Sequence, residues 1–397
     1  LHRGFEKLME RRTFIQCFPI VCRICVPEPD FNEYCYAAAV EELAGLEIPE
    51  KAKWIRALIL EMGRINSYLM YLGGQAGAFG QGVIGQWTTY ARDLMLDRFE
   101  ELTGARIYHM FILPGGVRDD LPEDFDARME ETLQEIESTL RDVQDTMFNN
   151  AVFKKRAVGL GYVEPALVDE YGVTGPVARG AGIAKDVRKD QPYLVYDQLD
   201  FEVITGTASD AYERAWVRQQ EMYQCIDLIR QMLDRTPDSG PFQAEMPNVL
   251  HWKIPPGETY LKAECTRGEY GYYVVTDGSE YVRRDVQAEE KVGVLFIDID
   301  RFKSINDNYG HEAGDEAIMA CSSILKHHAR NTDTLSRYGG EEFVILLPHS
   351  TYDDAVAALE VLEDKFGHKL RTTALKRDRL LAQLMETEQF KSWAKPE

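Results

Sequence analysis

No stretch of this chain stays apolar for the length of a bilayer crossing. The most apolar window, WIRALILEMGRINSYLMYLGG from Trp54, contains Arg56, Glu61 and Arg64. A charge at that depth in lipid is costly, so the window is expected to be a buried helix. A cationic region followed by an apolar core is missing at the start, so no secretory signal is visible. Cysteine is scarce and irregularly placed. Seven in 397 residues do not make a disulfide framework, and a reducing, cytoplasmic setting is expected. Basic charge is also in deficit. The formal net charge of −21 argues against a nucleic-acid polymer or an anionic membrane surface as the main partner, since both reward Lys and Arg. No internal repeat or low-complexity tract is present. With 45% hydrophobic and 28% charged residues, the chain has ample material for two or three cores.

The chain begins at Leu1 in a helical pattern, LHRGFEKLMERR, which points to a segment upstream of it. Phe31 to Gly45 reads as a helix with Asn32 as its cap and Gly45 as its stop. Pro49 opens a longer one, in which Ile55, Leu58, Ile59, Met62 and Ile65 recur at helical spacing. Arg92 to Leu102 continues the pattern and Gly104 ends it. Met129, Leu133, Ile136, Leu140 and Val143 form one stripe of a helix over Asp124–Phe148, and a similar stripe runs from Ser209 to Leu233. The first 235 residues therefore predict a bundle of long helices. Between the last two lies a Gly- and Pro-rich loop from Glu170 to Phe201. Its Arg179, Lys185, Arg188 and Lys189 read as a cationic loop that meets an acidic neighbour or is solvated, with a subunit contact favoured. A β-hairpin is expected around Arg267–Gly268. From Lys291 strand and helix alternate, with a helix over 313–329, a strand, turn and strand in RYGGEEFVILL and a second helix over 352–366, as in an α/β layer domain. The fold class is α+β: a mainly helical body with a β-hairpin, then a small α/β domain.

Chemistry-bearing residues gather in two places. VGVLFIDID ends in Asp298 and Asp300, whose spacing puts both side chains on one face of a strand end. Glu341 and Glu342 follow Gly339 and Gly340 in a tight turn whose glycines leave room for a phosphate. Two such acidic sites can hold hard cations that in turn hold a triphosphate, and solvated strand-end acids are an equal reading of the pattern alone. The strings FIDIDRFKSINDNYGHEAGDE and RYGGEEF resemble the GGDEF diguanylate cyclase family, with Gly339–Phe343 as the signature. The resemblance implies magnesium at Asp298, Glu341 and the Ile299 carbonyl, with Glu342 as a supporting acid and Lys303 facing the phosphates. It implies Asn306 and Asp315 on the guanine of GTP beside Gly339 and Gly340, and an inhibitory site at Arg330 and Asp333. Two such domains of a homodimer would join two GTP into cyclic di-GMP, with Glu341, Glu342 and Lys303 catalytic. The family's opening DxLTGLxNR element and its VTxSIG strand have no counterpart, so the motifs cover about 75 residues, half a complete domain.

The other place is VCRICV, where Cys22 and Cys25 form the one CxxC. Thiolates at this spacing can chelate a soft or borderline metal, and two buried cysteines without a metal are the competing reading. His109, on an apolar stretch, reads as a core residue ahead of a ligand. HRGFEKLMERRT, VEELAGLEIPEKA, ELTGARIYHMFILPGGVRDDLP, VTGPVARGAGIAKDVRKDQPYLVYD and RGEYGYYVVTDG resemble the D-type, quinone-site subunit family of respiratory complex I, the NADH dehydrogenase. That family shares its fold with the large subunit of nickel-iron hydrogenases. The hydrogenase branch binds nickel with a second CxxC, which this sequence lacks, and Val26 stands where the complex I branch has a quinone-facing Tyr. The resemblance implies partner subunits of a membrane-associated redox complex, NAD and quinone handled only through them, and a peripheral place on the cytoplasmic face of the inner membrane. The expected domains are 1–280, a junction at 281–290, a partial GGDEF domain at 291–368 and a C-terminal helix at 369–397.

Overall fold

Helical stripes need a partner face to bury, and the longest ones find each other. The computed structural model describes residues 4–281, 293–298, 318–319, 322–326, 334–337 and 342–347. The chain divides into two compact units, His2–Arg284 and Asp285–Glu397.

In the first unit, short helices α1 (Phe5–Met9) and α2 (Phe18–Val21) lead to three long ones, α3 (Pro29–Ala44), α4 (Glu50–Ala78) and α5 (Gly82–Thr103). A ribbon of β1 (Ile112–Leu113) and β2 (Gly116–Val117) precedes α6 (Phe125–Val143), which runs into a π-helical stretch at Gln144–Phe148. The short helices α7 (Ala151–Ala157), α8 (Pro165–Glu170), α9 (Gly175–Gly180) and α10 (Val187–Asp190) follow, then the long α11 (Ala211–Arg235). The hairpin of β3 (Gly257–Cys265) and β4 (Gly268–Thr276) closes the unit. α4 packs between α5 and α11, and α3 lies on the hairpin. Met129, Leu133, Ile136, Leu140 and Val143 of α6 are all fully buried, as the stripe requires. The Trp54 window is the buried helix α4. Among the described residues no helix is long and apolar enough to cross a membrane.

Two expectations are corrected. Asn32 is not a cap: Pro29 sits in the first turn, so α3 starts two residues before the expected Phe31. Asn32 instead donates to the Glu28 carbonyl (2.7 Å) and accepts from Tyr272 (3.2 Å), tying the helix to the hairpin. The segment Glu170–Phe201 is not one open loop either, because α9, α10 and a 3-10 turn at Tyr196–Gln198 order it.

In the second unit, β5 (Gly293–Asp298), β6 (Thr334–Arg337) and β7 (Glu342–Leu347) form an antiparallel sheet in the order β5-β7-β6. The register places Asp298 opposite Glu342 and Gly293 opposite Leu347. The two strands expected from RYGGEEFVILL are β6 and β7, and the turn expected between them lies outside the described residues. Helical residues 318–319 and 322–326 fall within the helix expected over 313–329. The helix expected over 352–366 lies outside the described residues.

Candidate functional site

Two of the four cations expected on the surface of the loop lie inside the body. Arg179 and Arg188 are fully buried, and only Lys185 and Lys189 are exposed. The reason lies in the carboxylates that the sequence scatters over distant elements. Arg179 reaches Glu221 of α11 at 2.5 Å and Glu264 of β3 at 2.6 Å. Arg188 binds Asp186 at 2.8 Å and Glu61 of α4 at 3.1 Å. Arg64 binds the same Glu61 at 3.2 Å and donates to the Glu264 carbonyl at 2.5 Å. Tyr196 donates to Glu61 at 2.7 Å and Tyr68 donates to Glu221. Charges this deep persist only when paired and hydrogen-bonded. Burial alone would raise Glu61, but Arg64 and Arg188 outweigh it and hold its pKa at about 2. Burial wins at Glu264, whose pKa is raised even with Arg179 beside it. Within the cluster Glu264 therefore takes up a proton more readily than Glu61.

A second buried cluster centres on His109. Its Nδ1 lies 2.6 Å from Asp30 and Nε2 lies 3.2 Å from the Arg106 carbonyl, with the ring stacked on Phe99 at 4.2 Å. Glu33 accepts from the backbone N–H groups of Met110 (2.7 Å), Phe111 (3.0 Å) and Ile112 (3.2 Å). Burial, reinforced by Asp30, pushes Glu33 up to about 7. Burial would lower His109, but Asp30 and Glu33 raise it. Tyr108 (φ 60°) and Met110 (φ 46°) flank His109 in the left-handed region, a strain that persists only where the surroundings impose it. His109 is thus the core residue expected of it. Asp30 and Glu33 were missed, although Glu33 carries a signal: it stands four residues before Ala37 and seven before Val40, both fully buried, so it lies on the apolar face of α3.

The CxxC forms a third corner. Cys22 is buried and Cys25 half-buried. Each sulfur accepts from a guanidinium, Cys22 from Arg23 at 3.2 Å and Cys25 from Arg267 at 3.3 Å. Arg267 also binds Glu28 at 2.6 Å. Burial pushes the Cys22 thiol up to about 12, with Glu33 adding to the effect, and burial likewise raises Cys25. Among the described residues no three His, Cys, Asp or Glu side chains converge as a metal would need. Two thiols facing cationic donors do not fit a nickel-iron group, which requires four thiolates.

In the second unit, Asp298 and Glu342 occupy opposed positions at one end of β5 and β7. Ile299, Asp300, Lys303, Asn306, Asp315, Arg330, Asp333, Gly339, Gly340 and Glu341 lie outside the described residues.

The sequence matches two separate family models. Residues 79–253 match the family model described as respiratory-chain NADH dehydrogenase, 49 Kd subunit. Residues 279–384 match that of the diguanylate cyclase GGDEF domain, a longer span than the motifs alone carry. The chain is 43% identical to the D-type subunit of the NADH-quinone oxidoreductase of Thermosipho melanesiensis over 304 residues, 76% of this chain and 83% of the relative. It is 38% identical to the corresponding D-type subunit of the F(420)H(2) dehydrogenase of Methanosarcina mazei over 70% of this chain and 76% of the relative. Among solved structures, a chain of the membrane-bound sulfane sulfur reductase, an archaeal respiratory membrane complex, superposes with a TM-score of 0.69 at 43% identity, covering 71% of this chain and 77% of that one. This chain belongs to the family of D-type subunits of NADH-quinone oxidoreductases and carries a GGDEF segment behind its redox-family body.

Proposed function

We propose that the body is a peripheral subunit of a membrane-associated redox complex of the quinone-linked type on the cytoplasmic face of the membrane, with NAD and quinone handled only through partner subunits. The observation that carries this is the spread of its relatives. They are named for NADH and for F(420)H(2), and the similar solved chain comes from a complex named for sulfane sulfur. What these proteins share cannot be the electron donor. It is a place in a respiratory membrane complex, and the interior of this body, where a protonatable carboxyl sits inside a fixed charge cluster, suits a subunit that holds charge away from water. The test is purification of the tagged chain from its own membranes. A multisubunit assembly that reduces a quinone supports the reading. A chain that leaves the membrane fraction alone overturns it.

The second reading concerns the GGDEF segment. The register of Asp298 against Glu342 brings two acidic positions to neighbouring strand ends, as a divalent-cation site for a nucleoside triphosphate needs. In this reading magnesium would be held by Asp298, Glu341 and the Ile299 carbonyl, and would supply charge neutralisation at the phosphates. Lys303 would face those phosphates, Asn306 and Asp315 would read guanine, Gly339 and Gly340 would give the triphosphate room, and Glu342 would support the acids. Arg330 and Asp333 would form an inhibitory product site. Formation of cyclic di-GMP would further require two copies of the segment. Incubation with GTP and magnesium should yield cyclic di-GMP. Absence of product, together with no GTP binding that Glu341→Ala removes, rejects the reading.

A further inference from the structure

The stretch after the π-helical turn is ordered without being covered. Asn150 caps α7 by accepting from the Val152 N–H (2.8 Å). Phe153 packs edge-on against Phe79 at 5.0 Å and Phe148 at 5.7 Å. Beyond α7 the backbone is pinned to the start of α11: Gly159 donates to the Asp210 carboxylate (2.7 Å), Ala211 to the Leu160 carbonyl (2.9 Å) and Val163 to the Ser209 carbonyl (3.1 Å). Arg156 reaches back to the Phe79 carbonyl at 2.8 Å, fixing the arm to the end of α4. Yet the side chains point outward. Val152, Val158, Leu160 and Tyr162 are all exposed, Tyr162 at 62%. An apolar surface held in one conformation has already lost the entropy that binding would otherwise cost.

Its charge departs from the rest of the chain. Residues 151–163, AVFKKRAVGLGYV, hold three cations and no carboxylate, whereas 66 of all 397 residues are acidic. Lys154 and Lys155 are exposed and pair with no carboxylate among the described residues. A shallow groove on this arm is lined by Ala151, Val152, Lys155 and Arg156.

We infer that the arm of residues 151–163 is the docking surface for a second subunit of the same complex, one that presents an apolar face edged with carboxylates. An exposed apolar surface with a Tyr anchor and a charged, solvent-accessible rim has the anatomy of a protein interface. A bilayer is disfavoured because the net charge of −21 opposes approach to anionic lipid. The inference rests on the redox-complex reading and names the kind of partner surface within it.

The test places a photo-crosslinking benzoylphenylalanine at Tyr162 in the full chain expressed in its own membranes, with Tyr273, exposed on β4, as the control position. The expected result is a crosslink to one co-purifying subunit, at a peptide carrying carboxylates, absent from the control. The crosslink should fall roughly tenfold or more when Lys154 and Lys155 are both changed to Glu. Circular dichroism of that variant should match the parent, since both positions are exposed. A crosslink to lipid, to a second copy of this chain or to nothing, or one indifferent to the two substitutions, overturns the inference. Failure of the surface is separable from failure of the redox reading: in the first case subunits still co-purify with the unmodified chain, and in the second none does.

Discussion

Arg179 binds carboxylates from two other elements, so its loss strands charges that water cannot reach. Arg179→Ala is expected to cost roughly 3–5 kcal/mol in urea unfolding. Arg179→Lys keeps the charge but not the planar fork, and should fall between that variant and the parent. Titration gives a second expectation. Glu33 loses its proton near 4.5 when unfolded but at about 7 when folded, so the folded state binds more protons across that interval. Its stability contribution is present below 4.5 and is lost as pH rises towards about 7. His109, raised above 6.5, acts in the same sense, with its contribution lost as pH rises through the folded value. Glu61 acts oppositely: its contribution is present above 4.5 and disappears as pH falls to about 2. Stability measured by denaturant at a series of pH values should therefore decline on both sides, and Glu33→Gln should flatten the decline between 4.5 and about 7. An unchanged slope in that variant would place the titrating group elsewhere.

At the scale of elements, the tightest meeting is between the start of α9 and the turn of the β3–β4 hairpin. Gly175 has φ +70°, and a Cβ there would lie 2.4 Å from the Arg267 carbonyl oxygen. Gly268 faces the same contact from the other side, with φ +131°. Gly175→Ala is expected to destabilise the body by roughly 2 kcal/mol or more, seen as a lowered melting temperature. The long helices were legible because a 3.6-residue stripe such as Met129 to Val143 reports its own burial. The hairpin was legible from alternation, and the GGEEF strands from their motif. The charge cluster was not. Arg179 and Arg188 stand in a Gly-rich segment with no periodicity to mark an inward face, and their partners Glu61, Glu221 and Glu264 come from elements that only the tertiary fold brings near. Asn32 misled for a local reason: a good capping residue is outcompeted when Pro29, three positions earlier, is already set for the first turn.

At the scale of the whole molecule, the division into His2–Arg284 and Asp285–Glu397 predicts two separate unfolding transitions in calorimetry. Gly175→Ala should then lower only the transition that belongs to the body. One merged transition that shifts as a whole would show the units unfold together. The charge cluster also bears on how the body is made. Glu61 and Arg64 leave the ribosome early, but the Glu264 carbonyl that Arg64 needs lies 200 residues later. At ordinary elongation rates that is a wait of roughly ten to forty seconds, during which α4 carries charges with no final partner and an apolar surface with no lid. Nascent chains halted before β3 should stay sensitive to protease, and this segment should spend its synthesis in the hands of chaperones until the hairpin emerges.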